Sequence, residues 1–220
     1  MPSAKVQIVS CCSGGCGEFF TERVARRDAK RYRRKGLDAN ARRVVDLLRE
    51  RGLHGRTVLE VGGGVGGMQL ELLKAGAERV VNVDASPAYE QYARELADEA
   101  GLADRVDRRV LDFALTPDVI PGADYVLMHK VVCCYPDYRK LVEPAAERTG
   151  KSLVLTLPRE AWWTRLAVWA ANLVERLRRH SFRSFVHAPD QVLAVAAERG
   201  LSRVDDHRGA IWEVVALDRA

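Results

Sequence analysis

The densest chemistry in the sequence lies at Glu60-Val61-Gly62-Gly63-Gly64-Val65-Gly66-Gly67, directly after a short apolar run and directly before a helical pattern. Glycines serve such a loop because the backbone must turn sharply and let a ligand approach where a Cβ would collide. The spacing fits E-x-G-x-G-x-G through Gly62, Gly64 and Gly66, and equally G-x-G-x-x-G through Gly62, Gly64 and Gly67, the pattern of nicotinamide and flavin dinucleotide sites. The acid at Glu60 separates the two, since a carboxylate repels a pyrophosphate and suits a cationic ligand. Asp84 closes the next apolar run, where an acid can take both hydroxyls of a ribose, a use that either ligand class would make of it. Asp84 and Asp112 also have a plain structural reading, as strand-end aspartates that cap the next helix.

These residues need elements to hold them. Thr57–Val61 reads as a strand, and Met68, Leu70, Leu72 and Leu73 as the apolar positions of a helix ending near Gly76. Further strands are expected over Arg79–Asp84, Arg105–Asp112, Asp124–His129 and Ser152–Leu157, with helices from Ser86 to about Ala100 and over Tyr138–Arg148. Strands alternating with helices imply an α/β, doubly wound, mostly parallel sheet. The last third departs from that rhythm: a long helix over Ala161–His180, another over Pro189–Arg199, then strands Ser202–His207 and Ile211–Leu217 around Arg208-Gly209. Their short link predicts an antiparallel C-terminal hairpin, giving a seven-stranded sheet. Glu18–Arg51 reads as two helices broken at Gly36. The 220 residues divide into a helical cap (1–55), a ligand-binding core (57–158), a helical insert (159–187) and a last helix with the hairpin (188–220), within one domain.

With 47% apolar and 30% charged residues the chain can bury a sizeable core, and its formal charge of +5 excludes an acidic disordered chain. That charge is local. Glu22–Arg51 carries twelve basic and five acidic residues, and Arg23, Arg26, Arg27, Lys30, Arg31 and Arg34 fall on one helical face. The face reads either as a steering surface for RNA or an anionic small molecule, or as a solvated helix. Neither export nor a membrane span is indicated, and five cysteines are too few for a disulfide scaffold, so a reducing cytoplasm is expected. The preference for arginine over lysine, 28 to 7, fits a bacterial source.

On the glycine loop with Glu60, Asp84, and Asp112-Phe113 at the end of the third strand, the sequence resembles the class I S-adenosylmethionine-dependent methyltransferases across roughly Thr57–Leu157. The resemblance implies their Rossmann-like fold and S-adenosylmethionine as cofactor. It places the cofactor on Glu60, Gly62, Gly64, Gly66 and Asp84, with Asp112 bonding the adenine amino group and Phe113 packing on the ring. An NAD(P)-binding oxidoreductase stays as the alternative, because the loop alone fits both.

The fourth strand delivers Met128-His129-Lys130-Val131-Val132-Cys133-Cys134-Tyr135-Pro136 to the crevice. The N/D-P-P-Y/F signature of amino-group methyltransferases is absent. A histidine there is similar to that of small-molecule enzymes methylating oxygen or carbon, which makes His129 the candidate general base. Its plain reading is a hydrogen-bonded strand-end histidine. Tyr135, Trp162 and Trp163 are candidate walls of the acceptor pocket, and this half is similar to porphyrin-type carboxyl methyltransferases. A small-molecule acceptor is the expected partner, with nucleic acid on the basic helix as the alternative. The tryptophan helix followed by arginines also allows peripheral membrane contact, against which Arg165, Asn172 and Glu175 interrupt the apolar surface. Cys11, Cys12, Cys16, Cys133 and Cys134 read as thiols lining an apolar pocket or as soft-metal ligands; C-C-x-x-x-C is no standard ligand spacing, and no metal is assigned. The oligomeric state has no signal.

Overall fold

Thr57–Val61 (β1) is buried at its last four positions, as a strand covered on both faces should be. In the computed structural model, which describes residues 15–220, it lies inside a seven-stranded sheet. The other strands are Arg79–Asp84 (β2), Val106–Val110 (β3), Ala123–His129 (β4), Thr149–Pro158 (β5), Leu201–Arg208 (β6) and Trp212–Arg219 (β7). Their order is β3-β2-β1-β4-β5-β7-β6. Neighbours among β1 to β5 pair parallel, and β7 runs antiparallel between β5 and β6. The expected doubly wound sheet with a C-terminal antiparallel hairpin is therefore present, with the hairpin's second strand inserted rather than added at the edge.

Alternation along the strands sends apolar side chains to both sides. Val58, Val80, Tyr125 and Leu127 face Ala39–Glu50 (α3) and Gly67–Lys74 (α4). Leu59, Val61, Val126 and Met128 face Arg139–Glu147 (α6) and Pro189–Ala197 (α8). Glu22–Lys35 (α2) buries Ala25 and Ala29 against Glu90–Glu99 (α5) and Leu70. Two further helices are Cys16–Phe19 (α1) and Trp162–Leu177 (α7).

Several boundaries move for local reasons. The expected third strand ends at Val110, because the Asp112 carboxylate accepts from the Ala114 amide and turns the chain. The helix expected from Ser86 begins as a single 3-10 turn over Pro87–Tyr89. The helix expected to reach His180 stops at Leu177, followed by Arg179 with φ 62°. Gly36, at φ 67°, makes the expected break between α2 and α3.

One side chain joins the sheet to the glycine loop. Arg108 on β3 is 6% exposed and bonds Glu90 (2.7 Å), the Asn82 side chain (2.9 Å) and the carbonyl of Gly64 (2.8 Å). Removing it leaves the side-chain oxygen of Asn82 and the carbonyl of Gly64 unpaired and Glu90 with Arg94 alone, a loss of about 3 kcal/mol or more. Arg108→Ala is expected to lower the free energy of denaturant unfolding by that amount; a change under about 0.5 kcal/mol, the size of ordinary surface effects, would show that the loop stands without it.

Candidate functional site

The loop after β1 is built by backbone that only glycine adopts without strain. Gly62 and Gly64 have φ of 71° and 55°, and the Gly62 amide bonds the Val83 carbonyl at 2.6 Å, fastening the loop to β2. A Cβ on Gly62 would collide with Val131, and one on Gly63 with the side chains of Asn82 and Glu60.

In front of this loop lies a cavity of about 250 Å³. Its apolar walls come from Val61, Val83, Leu111 and Phe113 at the strand ends, and from Phe20, Tyr89 and Tyr135 around them. Asp84 and Asp112 supply carboxylates, and His129 and Lys130 border it at the end of β4. Asp84 is oriented by two amides, Gly64 at 2.7 Å and Ser86 at 2.8 Å. Burial pushes its carboxyl above the ordinary range, while those amides and Arg108 pull the other way. Asp112 accepts from the Tyr135 hydroxyl at 3.3 Å.

A second cavity, about 160 Å³, adjoins the loop and is lined by Glu60, Asp38, Tyr32 and His129. Glu60 is buried and accepts from Asn82 at 3.0 Å; burial pushes its carboxyl up to about 8, opposed by Arg108 and Asn82. His129 Nδ1 lies 2.9 Å from Thr156 Oγ1, and Nε2 lies 4.0 Å from Asp38. Burial lowers the affinity of this imidazole for a proton more than Asp38 raises it, so the ring is neutral at pH 7. Asp38 caps α3 through the Ala41 amide and accepts from Lys130 Nζ at 2.7 Å. The neighbouring His129, then Lys130 and that amide, hold its carboxyl far below the usual range. Lys130 itself has φ 60°, a strained backbone for a side-chain-bearing residue at the mouth of a cavity.

The residues singled out from sequence separate into groups. Gly62, Gly64, Asp84, Asp112, Phe113, His129 and Tyr135 line the first cavity, and Glu60 lines the second. Gly66 lines neither; at φ 76° it is the N-cap of α4. Trp162 and Trp163 stand away from both cavities, against the expectation of an acceptor wall. Trp162 is 72% exposed and the Trp163 indole donates to the Ala210 carbonyl, because the inward side of α7 is taken by Thr164, Asn172 and Glu175. All six residues of the basic stripe on α2 are exposed, and Arg31 reaches the second cavity.

Cys11 and Cys12 lie outside the described residues. Cys16 is disulfide-bonded, against the expectation of five thiols, while the Cys133 and Cys134 thiols lie 3.9 Å apart. Among the described residues no three His, Cys, Asp or Glu side chains converge as metal ligands. Asp38, Lys130 and Thr156 are the residues that sequence reading missed. Asp38 is legible as a helix cap, but nothing local announces a partner 92 residues away.

A sequence-family description, methyltransferase domain, matches residues 58–149. The sheet adds what the loop alone lacked, since an antiparallel strand inserted beside β5 is foreign to the 3-2-1-4-5-6 dinucleotide fold. Residues 58–149 carry a methyltransferase domain. Magnesium protoporphyrin IX methyltransferase from Synechocystis, solved with S-adenosylhomocysteine, shares the fold of this chain at a TM-score of 0.72 and 18% identity, over 92% of this chain and 97% of that one. Geranyl diphosphate C-methyltransferase from Streptomyces coelicolor is similar at 0.60 and 16%, over 80% and 76%. A ribosomal protein L11 methyltransferase from Alteromonas mediterranea is 47% identical over 53 residues, 24% of this chain. The match spans only 18% of that relative's length.

Glu60 links the site to pH. Its carboxyl titrates near 8 when folded against an ordinary value of 4.5, so between those values the folded state holds the extra proton. Its contribution to stability is full below about pH 4.5 and is lost as pH rises toward 8. The stability of Glu60→Gln relative to the parent should therefore rise between pH 5 and pH 8, measured by urea unfolding. A difference that stays constant over that range would mean Glu60 is ionised throughout.

Proposed function

We propose that this methyltransferase binds S-adenosylmethionine in the first cavity and methylates a small, aromatic or hydrophobic acceptor on oxygen or carbon. The observation that carries the reading is the convergence of the cradle on one apolar cavity: the glycine loop, the amide-oriented carboxylate of Asp84, and Asp112 beside Phe113. The residues present fit the cofactor. Asp84 suits two vicinal hydroxyls, the slot between Val83, Leu111 and Phe113 suits a flat heteroaromatic ring, and the Gly62–Gly64 backbone leaves room for close approach. Glu60 offers a second carboxyl group beside the loop, which a bound cation would draw toward its ionised form. When bound, S-adenosylmethionine supplies an electrophilic methyl group on a sulfonium.

Methylation of oxygen or carbon releases a proton, and His129 would take it. The ring is neutral at pH 7, borders both cavities, and is fixed by Thr156 on one nitrogen and Asp38 near the other. A large share of the rate acceleration would come from holding donor and acceptor in register, which asks for walls rather than many charged groups. The small-molecule reading draws support from fold neighbours described with porphyrin, apigenin and geranyl diphosphate, at identities of 20% or less. Phe182, packed on Cys16 and beside Phe20, Cys134 and Tyr135, takes the acceptor-side role first given to Trp162 and Trp163.

Calorimetry with S-adenosylmethionine and with NAD tests the cofactor: binding of the first alone, weakened at least about tenfold by Asp84→Asn, is expected, one lost charge-assisted contact being worth roughly 1.5–3 kcal/mol. Absence of binding would refute the reading. Once an acceptor is identified, His129→Ala should lower kcat by about 10² to 10⁴ while cofactor affinity holds. Unchanged turnover would leave His129 a packing residue.

A further inference from the structure

The insert helix α7 presents an apolar face that, among the described residues, no other element buries. At about 100° per residue, Trp162, Leu166, Trp169, Leu173 and Leu177 fall within an arc of about 80°. Every one of them is exposed, from 39% at Leu173 to 75% at Leu177. Trp163 and Val174 widen the same face and are exposed as well.

The polar residues that interrupt this helix in the sequence do not interrupt its outer surface. Asn172 turns inward, accepting from the Ser184 amide at 2.8 Å and donating to the Ser184 carbonyl at 2.9 Å. Glu175, the only carboxylate of α7, is 7% exposed and lies 2.7 Å from His180 Nδ1. What remains outward is apolar side chains flanked by cations: Arg165 and Arg176 along one edge, Arg178 and Arg179 at the C-terminal end. Arg165 pairs with Glu160 and Arg178 with Glu175, while Arg176 and Arg179 are exposed.

We infer that α7 is an interfacial helix that docks this methyltransferase on an anionic lipid bilayer, lying in the plane of the headgroups with Trp162, Leu166, Trp169, Leu173 and Leu177 toward the acyl chains. Three features choose a bilayer over a protein groove or a second copy of the chain. Tryptophan and leucine on one face with arginine at its margins is the composition that places indoles at the headgroup level and cations on phosphates. The exposed residues form a ridge about 24 Å long, the length of 16 helical residues, and a deformable surface accepts a ridge without a matching groove. The single carboxylate of the helix is folded away, and Glu160 just before it is paired with Arg165. The helix lies on the membrane and does not cross it, since no helix among the described residues is long and apolar enough to span.

The placement also bears on acceptor access. The chain after α7 runs through Phe182, which packs with Phe20 and Tyr135, and Phe185, whose amide bonds the Cys133 carbonyl at 2.7 Å. The lipid-facing helix thus continues into a segment that packs behind two residues lining the cavity, Phe20 and Tyr135, so a hydrophobic acceptor partitioned in the bilayer would arrive near the site.

The test is flotation of the full chain with vesicles of phosphatidylcholine alone and of phosphatidylcholine with phosphatidylglycerol. Binding to the anionic vesicles, a tryptophan emission shift to shorter wavelength, and loss of binding at high salt are expected. Leu166→Glu with Trp169→Glu should abolish the shift and reduce partition at least about tenfold, and Arg176→Glu with Arg179→Glu should do so through charge, at roughly fivefold per arginine. Circular dichroism and cofactor calorimetry on the same variants show that the fold is intact, because none of these side chains lines a cavity. No partition into anionic vesicles, or partition unchanged in the first double variant, would overturn the inference. So would a stable dimer by sedimentation that the same substitutions dissociate, since the face would then belong to a second copy.

Discussion

Two carboxylates, Glu60 and Asp84, are buried at the carboxyl ends of adjacent parallel strands, and Arg108 is the cation that makes their burial tolerable. It acts on both through charge, and it holds the carbonyl of Gly64 and the side-chain oxygen of Asn82 in the same grip. Without a fixed positive charge behind the loop, desolvation would push both carboxyls still higher and leave the loop poorly anchored. Much of the candidate site follows from this arrangement. Gly62 and Gly63 sit where a Cβ would strike Val131, Asn82 or Glu60, so the backbone comes as close to its neighbours as it does to the cavity.

A second constraint joins the N-terminal helices to the end of β4. Asp38 caps α3, accepts from Lys130 and stands near His129, so the position of the histidine depends on a helix start far away in the chain. The strained backbone at Lys130 is held by that ion pair and by the Trp212 ring, 5.3 Å from its ammonium. Site residues on rigid strand ends, with loops and helix caps fixing their rotamers, are what a cofactor-dependent transfer needs, because the protein contributes position more than reactive groups.

The alternation of strands and helices was legible from hydrophobic period and glycine punctuation, and Gly62, Gly64, Asp84, Asp112 and Phe113, singled out from the motif and the strand ends, line one cavity. Gly66 was legible as a loop glycine but not as a helix N-cap away from the wall, since the motif spacing is the same for both uses. Trp162 and Trp163 were misread because aromatic residues at helical spacing announce an apolar face and not its direction. Asn172 and Glu175, which look like interruptions of that face, are the residues that hold the helix with the face outward.

By itself, then, the sequence determined what is local: strand and helix periods, a loop that tolerates no Cβ, acids at strand ends, and hence the class of fold. Only the tertiary structure decided which distant groups meet. Nothing in Asp38 or Arg108 as residues points to His129 or Gly64, and their pairing arises from strand order and helix packing across more than 40 positions. Insertion of β7 between β5 and β6 is of the same kind, because a hairpin carries its own register but not the edge against which it docks. Side-chain direction on α7 also waited for the fold, since which half of an amphipathic helix faces inward depends on what the rest of the chain places beneath it.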